Sequence, residues 1–522
     1  MPSHQSQRLP KGARRPPRPA HRRGRALAVA AAATVITAAP ASAELRLPHV
    51  LSDHAVLQRE RPIHIWGWAA PGERVDAELH GVRAAATADR LGRWEVWLPP
   101  QPAGGPYGLS IHASGGETRR LADVMIGDVW FASGQSNMEM PLAGFPPTAH
   151  VKNAAAEIAA ATNAHIRLLK VGHASSDHPL RDTPDSWTTC APASAAQFSA
   201  IGYFFARTIA AREHVTVGVI DSSWGGTPAD PWVSLQGLSA DPALLPAFAA
   251  RARFARDLAD SDAIAAADAR DDAQARARGL PAPEHPWRPE ERSWAPGALY
   301  NAMVAPFTAY GLKGVIWYQG ETNSAPDRAP YYADLFKALI ADWRADFAQG
   351  DLPFVYAQIS SFNSPKEDWG EVRDAQRRAL ALRATAMAVT TDVGNPANVH
   401  PSDKQTVAAR LALGAEAIAY GEAVAYASPL MRQVTREGST LRAWFDHADG
   451  LTSRGAAVTG FEVAGPDHAF APAAAVISGT SVAVTAPSGV EPLYLRYNWS
   501  NVTTGALYNA AGLPASTFTS ER

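Results

Sequence analysis

Between residues 121 and 428, short apolar runs alternate with longer segments of helical period, an alternation that few folds can satisfy. "DVWFAS" (128–133), "VTVGVID" (215–221), "GVIWYQ" (314–319), "LPFVYAQIS" (352–360) and "AMAVTTDVG" (386–394) are nearly continuous in apolar residues. A strand with no polar face must be covered on both sides. The covers are at hand in "AAQFSAIGYFFARTIAARE" (195–213) and "YYADLFKALIADWRADFA" (331–348), whose apolar residues recur at helical spacing. The pattern predicts a parallel sheet between two helical layers, an α/β class fold.

The flanks read differently. From Glu44 to about Arg120, "PIHIWGWA", "RVDAELHG", "RWEVWLP" and "YGLSIHAS" alternate polar and apolar residues between Gly- and Pro-rich turns, which predicts an N-terminal β-sandwich over 44–120. Beyond the α/β region (121–428), "TLRAWFDH", "VTGFEVAG", "SVAVTAP" and "LYLRYNW" predict a second β-domain over 429–522. An Ala-, Arg- and Asp-rich stretch, broken by prolines after residue 279, reads as a helical insertion over about 250–295, a solvated helix outside the chemistry.

Residues 1–43 belong to none of these. Eight basic and no acidic residues precede Glu44, followed by "ALAVAAAATVITAA" and Ala41-Ser42-Ala43, the three parts of a signal peptide. Its apolar run is short of the roughly 20 residues that span a bilayer. The expectation is a secreted or periplasmic protein with no membrane attachment after cleavage. Without that segment, 40 of the 48 basic residues remain against all 50 acidic ones, which argues against nucleic acid as a partner. The one cysteine, Cys190, excludes an internal disulfide.

In a doubly wound sheet, ligands sit beyond the carboxyl ends of the strands. The residues there are Gly134-Gln135-Ser136-Asn137, "DSSWGGT" (221–227), "QGETN" (319–323) and "TDVGNPANVHP" (391–401). Acyl transfer needs a hydroxyl nucleophile, a base near neutral pKa and donors for an oxyanion. Ser136, His400, the Gly225-Gly226 turn and the Gln319 amide can supply them, with Ser136 also offering its own backbone N–H. Each also fits a plainer role: a helix cap, a turn, a satisfied amide, a structural histidine. Their coincidence on one sheet edge favours chemistry.

"SGQSNMEMPL", "SSWGGTPADPW", "LYNAMVAPFTAYGLKGVIWYQGETN" and "NVHPSDKQTVAARLALGAEAIAYGE" together resemble the sialate O-acetylesterase type of SGNH hydrolase. The resemblance implies a flavodoxin-like α/β/α domain and a serine esterase without metal or cofactor that acts on an acetylated carbohydrate. By position, Ser136 matches the nucleophile, His400 the base, and Gly225 or Gly226 the glycine block. Gln319 stands where other SGNH enzymes place an asparagine.

One position departs from the pattern. Three residues before His400, where many such enzymes carry an aspartate, this chain has Ala397. Asp392, Asp403 or a backbone carbonyl could orient the imidazole. Trp224, inside the glycine loop, is the expected sugar platform, ahead of Trp232, Trp317 and Tyr318. Glu321 and Arg373 are further candidate substrate contacts. The sugar itself is open between sialic acid and a plant polysaccharide or oligosaccharide such as xylan or xyloglucan. The competing reading is a non-catalytic carbohydrate-binding protein on an esterase fold.

Overall fold

A computed structural model describes residues 44–283, 285 and 290–521. The signal-peptide reading of residues 1–43 lies outside them.

All five expected apolar runs are strands, and all pair in parallel in the order Thr385–Val389, Phe354–Gln358, Gly314–Tyr318, Thr118–Gly134, Val217–Ser223. Numbered along the chain, this is 2-1-3-4-5, the flavodoxin-like order. Two strands escape the sequence reading: Asn163–Lys170 pairs in parallel outside Val217–Ser223, and Thr188–Cys190 closes that edge antiparallel. The run "NAHIRLLK" hides its strand because Arg167 sits inside it, buried and paired with Asp123 at 3.0 Å.

The sequence of strands switches direction at Thr118–Gly134, which lies between Val217–Ser223 and Gly314–Tyr318. Ser136 follows two residues after it, in the crevice such a reversal creates. The helices Ala200–Glu213, Tyr332–Phe347, Trp369–Arg378 and Lys404–Ala415 bury apolar faces that include Phe205, Phe336, Val372 and Leu411.

The amino-terminal boundary needs correcting. Residues 118–134 are one strand of 17 residues: its first half pairs antiparallel with Gly104–Ala113, its second half sits in the central sheet. The boundary expected between 120 and 121 therefore falls within a strand. Buried residues from Leu45 to Ala415 form one continuous hydrophobic core, so the amino-terminal β-region has no core of its own. The carboxyl-terminal region does. Two four-stranded sheets there enclose a separate cluster including Phe445, Phe461, Leu495 and Phe518.

One long helix, Leu245–Ala277, starts ahead of the expected insertion and runs through its first part. Among the described residues, no helix is long and apolar enough to cross a membrane.

Candidate active site

The nucleophile turn is built by close packing. Gly134 has φ 138°, and a Cβ there would lie 2.1 Å from the Tyr318 carbonyl oxygen, so only glycine lets the two strands approach. The helix Ser136–Glu139 begins at once, with Gln135 in the capping position and no side-chain cap. Ser136 is thus not a capping residue; it opens the helix, and its N–H has no acceptor within it. The Gln135 side-chain oxygen accepts from the N–H groups of Gly320 and Thr322, at 3.3 and 3.2 Å, tying this turn to the neighbouring strand end.

Asn137 ties the turn to the histidine loop. Its Nδ2 donates to Glu321 Oε1 at 2.6 Å and to the Val399 carbonyl at 3.0 Å, while its Oδ1 accepts from Lys404 Nζ at 2.5 Å. Both charged partners are buried. Burial lowers the Lys404 ammonium to about 7 and raises the Glu321 carboxyl. Glu321, expected as a substrate contact, does line the cavity, but its Oε1 is committed to Asn137.

His400 follows Val399, with its N–H donating to Asn398 Oδ1 at 2.9 Å and its ring edge-on to Phe145 at 5.3 Å. Its Nε2 is buried without a hydrogen-bond partner. Burial, reinforced by the charge of Lys404 and opposed by Glu139, lowers the imidazole to about 4. The ring is therefore neutral at pH 7, the form a general base requires.

Neither candidate acid orients it. Asp392 spends both oxygens on Arg410, at 2.6 and 2.8 Å, and Arg410 also holds the Val389 carbonyl at 2.7 Å. Asp403 accepts from the Thr406 N–H at 3.0 Å, capping the helix Lys404–Ala415. The acid whose charge reaches His400 is Glu139, which the sequence analysis does not single out.

Glu139 also alters the oxyanion assignment. Its Oε2 accepts the Gly225 N–H at 2.6 Å, and its Oε1 meets His173 Nε2 at 2.7 Å. The Gly225 N–H is thus committed to a carboxylate. Gly226 has φ 73°, and no acceptor for its N–H occurs among the described hydrogen bonds, leaving it and Ser136 as the candidate backbone donors. Gly225 matters for space instead: a Cβ there would lie 2.9 Å from Glu139 Oε2 and 3.2 Å from Ser136 Cβ. Gln319 also needs correcting. Its amide donates to Asn323 Oδ1 at 2.6 Å and the Thr227 carbonyl at 3.3 Å, fully buried beneath the site.

Arg373 is displaced from the substrate altogether. It is buried, and its Nη2 donates to the carbonyls of Asn498, Trp499 and Ser500, fastening the carboxyl-terminal sheets to the helix Trp369–Arg378. Trp317 is core, packed edge-on against Trp232 and Trp343. Trp224 lines the cavity and stacks face to face on His173, 4.3 Å between centroids and 3° between planes.

Ser136, His400, Trp224 and Gly226 share one open cavity of about 860 Å³. Four carboxyl groups line it, Glu139, Glu321, Asp327 and Glu367, against one guanidinium, Arg328. Arg328 lies over the Trp294 ring at 4.5 Å, and Trp294 Nε1 donates to the Gly226 carbonyl at 3.0 Å. Trp294 belongs to the expected insertion, so that segment reaches the site, contrary to its reading as a helix outside the chemistry. Its signal was a tryptophan just after a proline-broken run.

Comparison with known proteins identifies the family. Residues 286–418 match the family described as carbohydrate esterase, sialic acid-specific acetylesterase. The sialate O-acetylesterase of Mus musculus is 30% identical over 442 residues, covering 74% of this chain and 76% of its own. This chain belongs to the sialate O-acetylesterase family. The family's rat member, from Rattus norvegicus, is 31% identical over 430 residues, with 74% and 76% covered. Among solved structures, a carbohydrate acetylesterase from Xanthomonas citri superposes with TM-score 0.78 at 34% identity, over 91% of this chain and 99% of that one. As a member of this family the chain is a carbohydrate O-acetylesterase.

Proposed function

We propose that the protein is an exported serine esterase that removes O-acetyl groups from a neutral glycan through an acetyl-Ser136 intermediate. The observation that carries this reading is the meeting of Ser136, a neutral His400 with a partnerless buried Nε2, and the Gly226 turn in one cavity. In the proposed reaction His400 Nε2 takes the Ser136 proton as Oγ bonds to the acetyl carbon, and the N–H groups of Ser136 and Gly226 receive the oxyanion. Collapse breaks the bond to the sugar oxygen, which leaves with the proton from His400. Water, deprotonated by the same imidazole, then releases acetate and restores Ser136.

The preference for a neutral sugar comes from the lining, where four carboxyl groups disfavour an anionic ligand. Arg328 supports the second reading: a guanidinium in the cavity can clamp the carboxylate of a sialic acid. Acetate release from acetylated xyloglucan, acetylated xylan and O-acetyl sialic acid tests both. Neutral glycans should be turned over faster. Sialate as the better substrate, with Arg328→Gln raising its KM alone, would replace the first reading by the second. A preference for a long-chain ester over p-nitrophenyl acetate would overturn both, and no ester hydrolysis at all would leave a carbohydrate-binding protein. Export is tested by amino-terminal sequencing of the mature protein, expected to start at Glu44.

A further inference from the structure

The strand Ile63–Trp68 and its antiparallel partner Arg93–Leu98 bury one face completely, through Ile63, Ile65, Trp94, Val96 and Leu98. Their other face carries three tryptophans, of which Trp66 packs edge-on against Tyr310 of the esterase body at 6.3 Å. His64, Trp66 and Trp68 alternate along one strand, and in register across from them stand Trp97, Glu95 and Arg93. His64 lies between two indoles, 4.8 Å from Trp66 and 4.1 Å from Trp97, the latter pair within 3° of parallel. Trp97 remains 56% exposed, and Arg46 covers Trp68 at 4.2 Å. Trp66 and Trp68, both half-buried, keep part of their indole surface open.

This face opens on a second cavity, about 760 Å³, nearly the size of the catalytic one. Trp66 and Trp68 form one wall; Leu180, Arg181, Tyr300 and Asp346 belong to the lining contributed by the esterase body. Its charges are mixed, with Asp89, Glu95 and Asp346 beside Arg93 and Arg181, which suits a neutral, hydroxyl-rich ligand better than an ion. Aromatic planes take the apolar face of a sugar ring, and planar charged groups take its hydroxyls in pairs.

The two cavities share a segment. His173 lines the first and Arg181 the second, eight residues apart, so at most ~29 Å separates their Cα atoms. The segment is pinned to the body by Leu180 N–H to the Asn301 carbonyl at 2.7 Å and Asn301 Nδ2 to the Ser176 carbonyl at 3.0 Å. A ligand that occupied both cavities would have to be a chain; a monosaccharide could not.

We infer that the tryptophan-lined cleft between the amino-terminal β-sheet and the esterase body is a second glycan-binding site, which holds a neutral polysaccharide while another part of it is deacetylated. This deepens the glycan reading of the active site and rests on it. The test uses the full chain in two forms. With Ser136→Ala protein, affinity electrophoresis in unacetylated xyloglucan and in unacetylated xylan should show retardation by at least one. Adding Trp66→Ala and Trp68→Ala should weaken that affinity about tenfold or more. In the active enzyme the same pair should raise KM for acetylated polysaccharide several-fold, with kcat and p-nitrophenyl acetate turnover unchanged; that unchanged turnover also certifies folding, and Trp68→Ala alone is the milder variant. Retardation by neither polysaccharide, or equal affinity in parent and variants, overturns the inference. Failure of the esterase reading would show separately, as absence of p-nitrophenyl acetate turnover in the parent enzyme.

Discussion

At the scale of single residues, the arrangement predicts that Ser136 and His400 stand alone as the catalytic pair. Ser136→Ala and His400→Ala should each lower kcat by about 10³-fold or more, by analogy with other serine hydrolases. Asp392→Ala should change kcat less than about threefold, because its carboxylate serves Arg410; thermal unfolding should instead show a loss of about 1 kcal/mol. A loss equal to that of His400→Ala would restore a triad. The pH profile follows from His400, lowered to about 4 by burial. Activity needs the neutral ring, so kcat/KM should stay level from neutrality down to about pH 5 and fall through about pH 4. An acid limb centred near 6.5 would contradict this. The same shift sets a stability trend. Between about 4 and the ordinary histidine value, the unfolded chain holds a proton that the folded chain does not, so stability at this site falls as pH is lowered through that window. Ser136 and His400 were legible because each lies in a short motif at a strand end. Glu139, His173 and Trp294 were not, because their roles depend on contacts across 86, 34 and 68 residues of chain, with Gly225, Glu139 and Gly226 in turn.

Among the elements, the glycine loop and the helix Trp369–Arg378 behave as mounts. Glu139 holds the loop by the Gly225 N–H and Trp294 holds it by the Gly226 carbonyl, so the free Gly226 N–H is aimed by its neighbours. Glu139→Ala should lower kcat about tenfold while leaving KM for p-nitrophenyl acetate nearly unchanged; a change in KM alone would mean that Glu139 touches substrate instead. The helix Trp369–Arg378 faces two ways. Gln376 donates to the Gln319 and Ala357 carbonyls at the sheet end, and Arg373 grips three carbonyls of the carboxyl-terminal sheets. Arg373→Met should cost about 3 kcal/mol by leaving those acceptors unpaired, measured by denaturant unfolding, with kcat at low temperature retained. The five apolar strands were legible because burial on both faces leaves few polar residues to confuse the pattern, Asp128, Asp221 and Gln358 among them. Asn163–Lys170 was not, since an ion pair formed with Asp123 on another strand lets an arginine sit where the pattern demands an apolar residue.

For the molecule as a whole, the three-part division expected from the sequence pattern is not matched by three cores. Hydrophobic packing runs unbroken from Leu45 to Ala415, and only the carboxyl-terminal sheets enclose a cluster of their own. Calorimetry should therefore show residues 44–428 unfolding in one transition, without a separate amino-terminal step; an early, reversible amino-terminal transition would count against the shared core. Composition could mark where β-pattern gives way to α/β pattern, near residue 120, yet it could not show that one strand serves both sides of that mark. The strand Thr118–Gly134 closes the amino-terminal sheet with one half and carries Ser136 on the end of the other. A gene segment ending before residue 118 would leave behind the strand that its own sheet needs, and one extending past residue 134 would take the nucleophile with it. The amino-terminal unit can thus be inherited only together with the esterase it adjoins, and lineages that recombine modules freely would have no junction at which to exchange it.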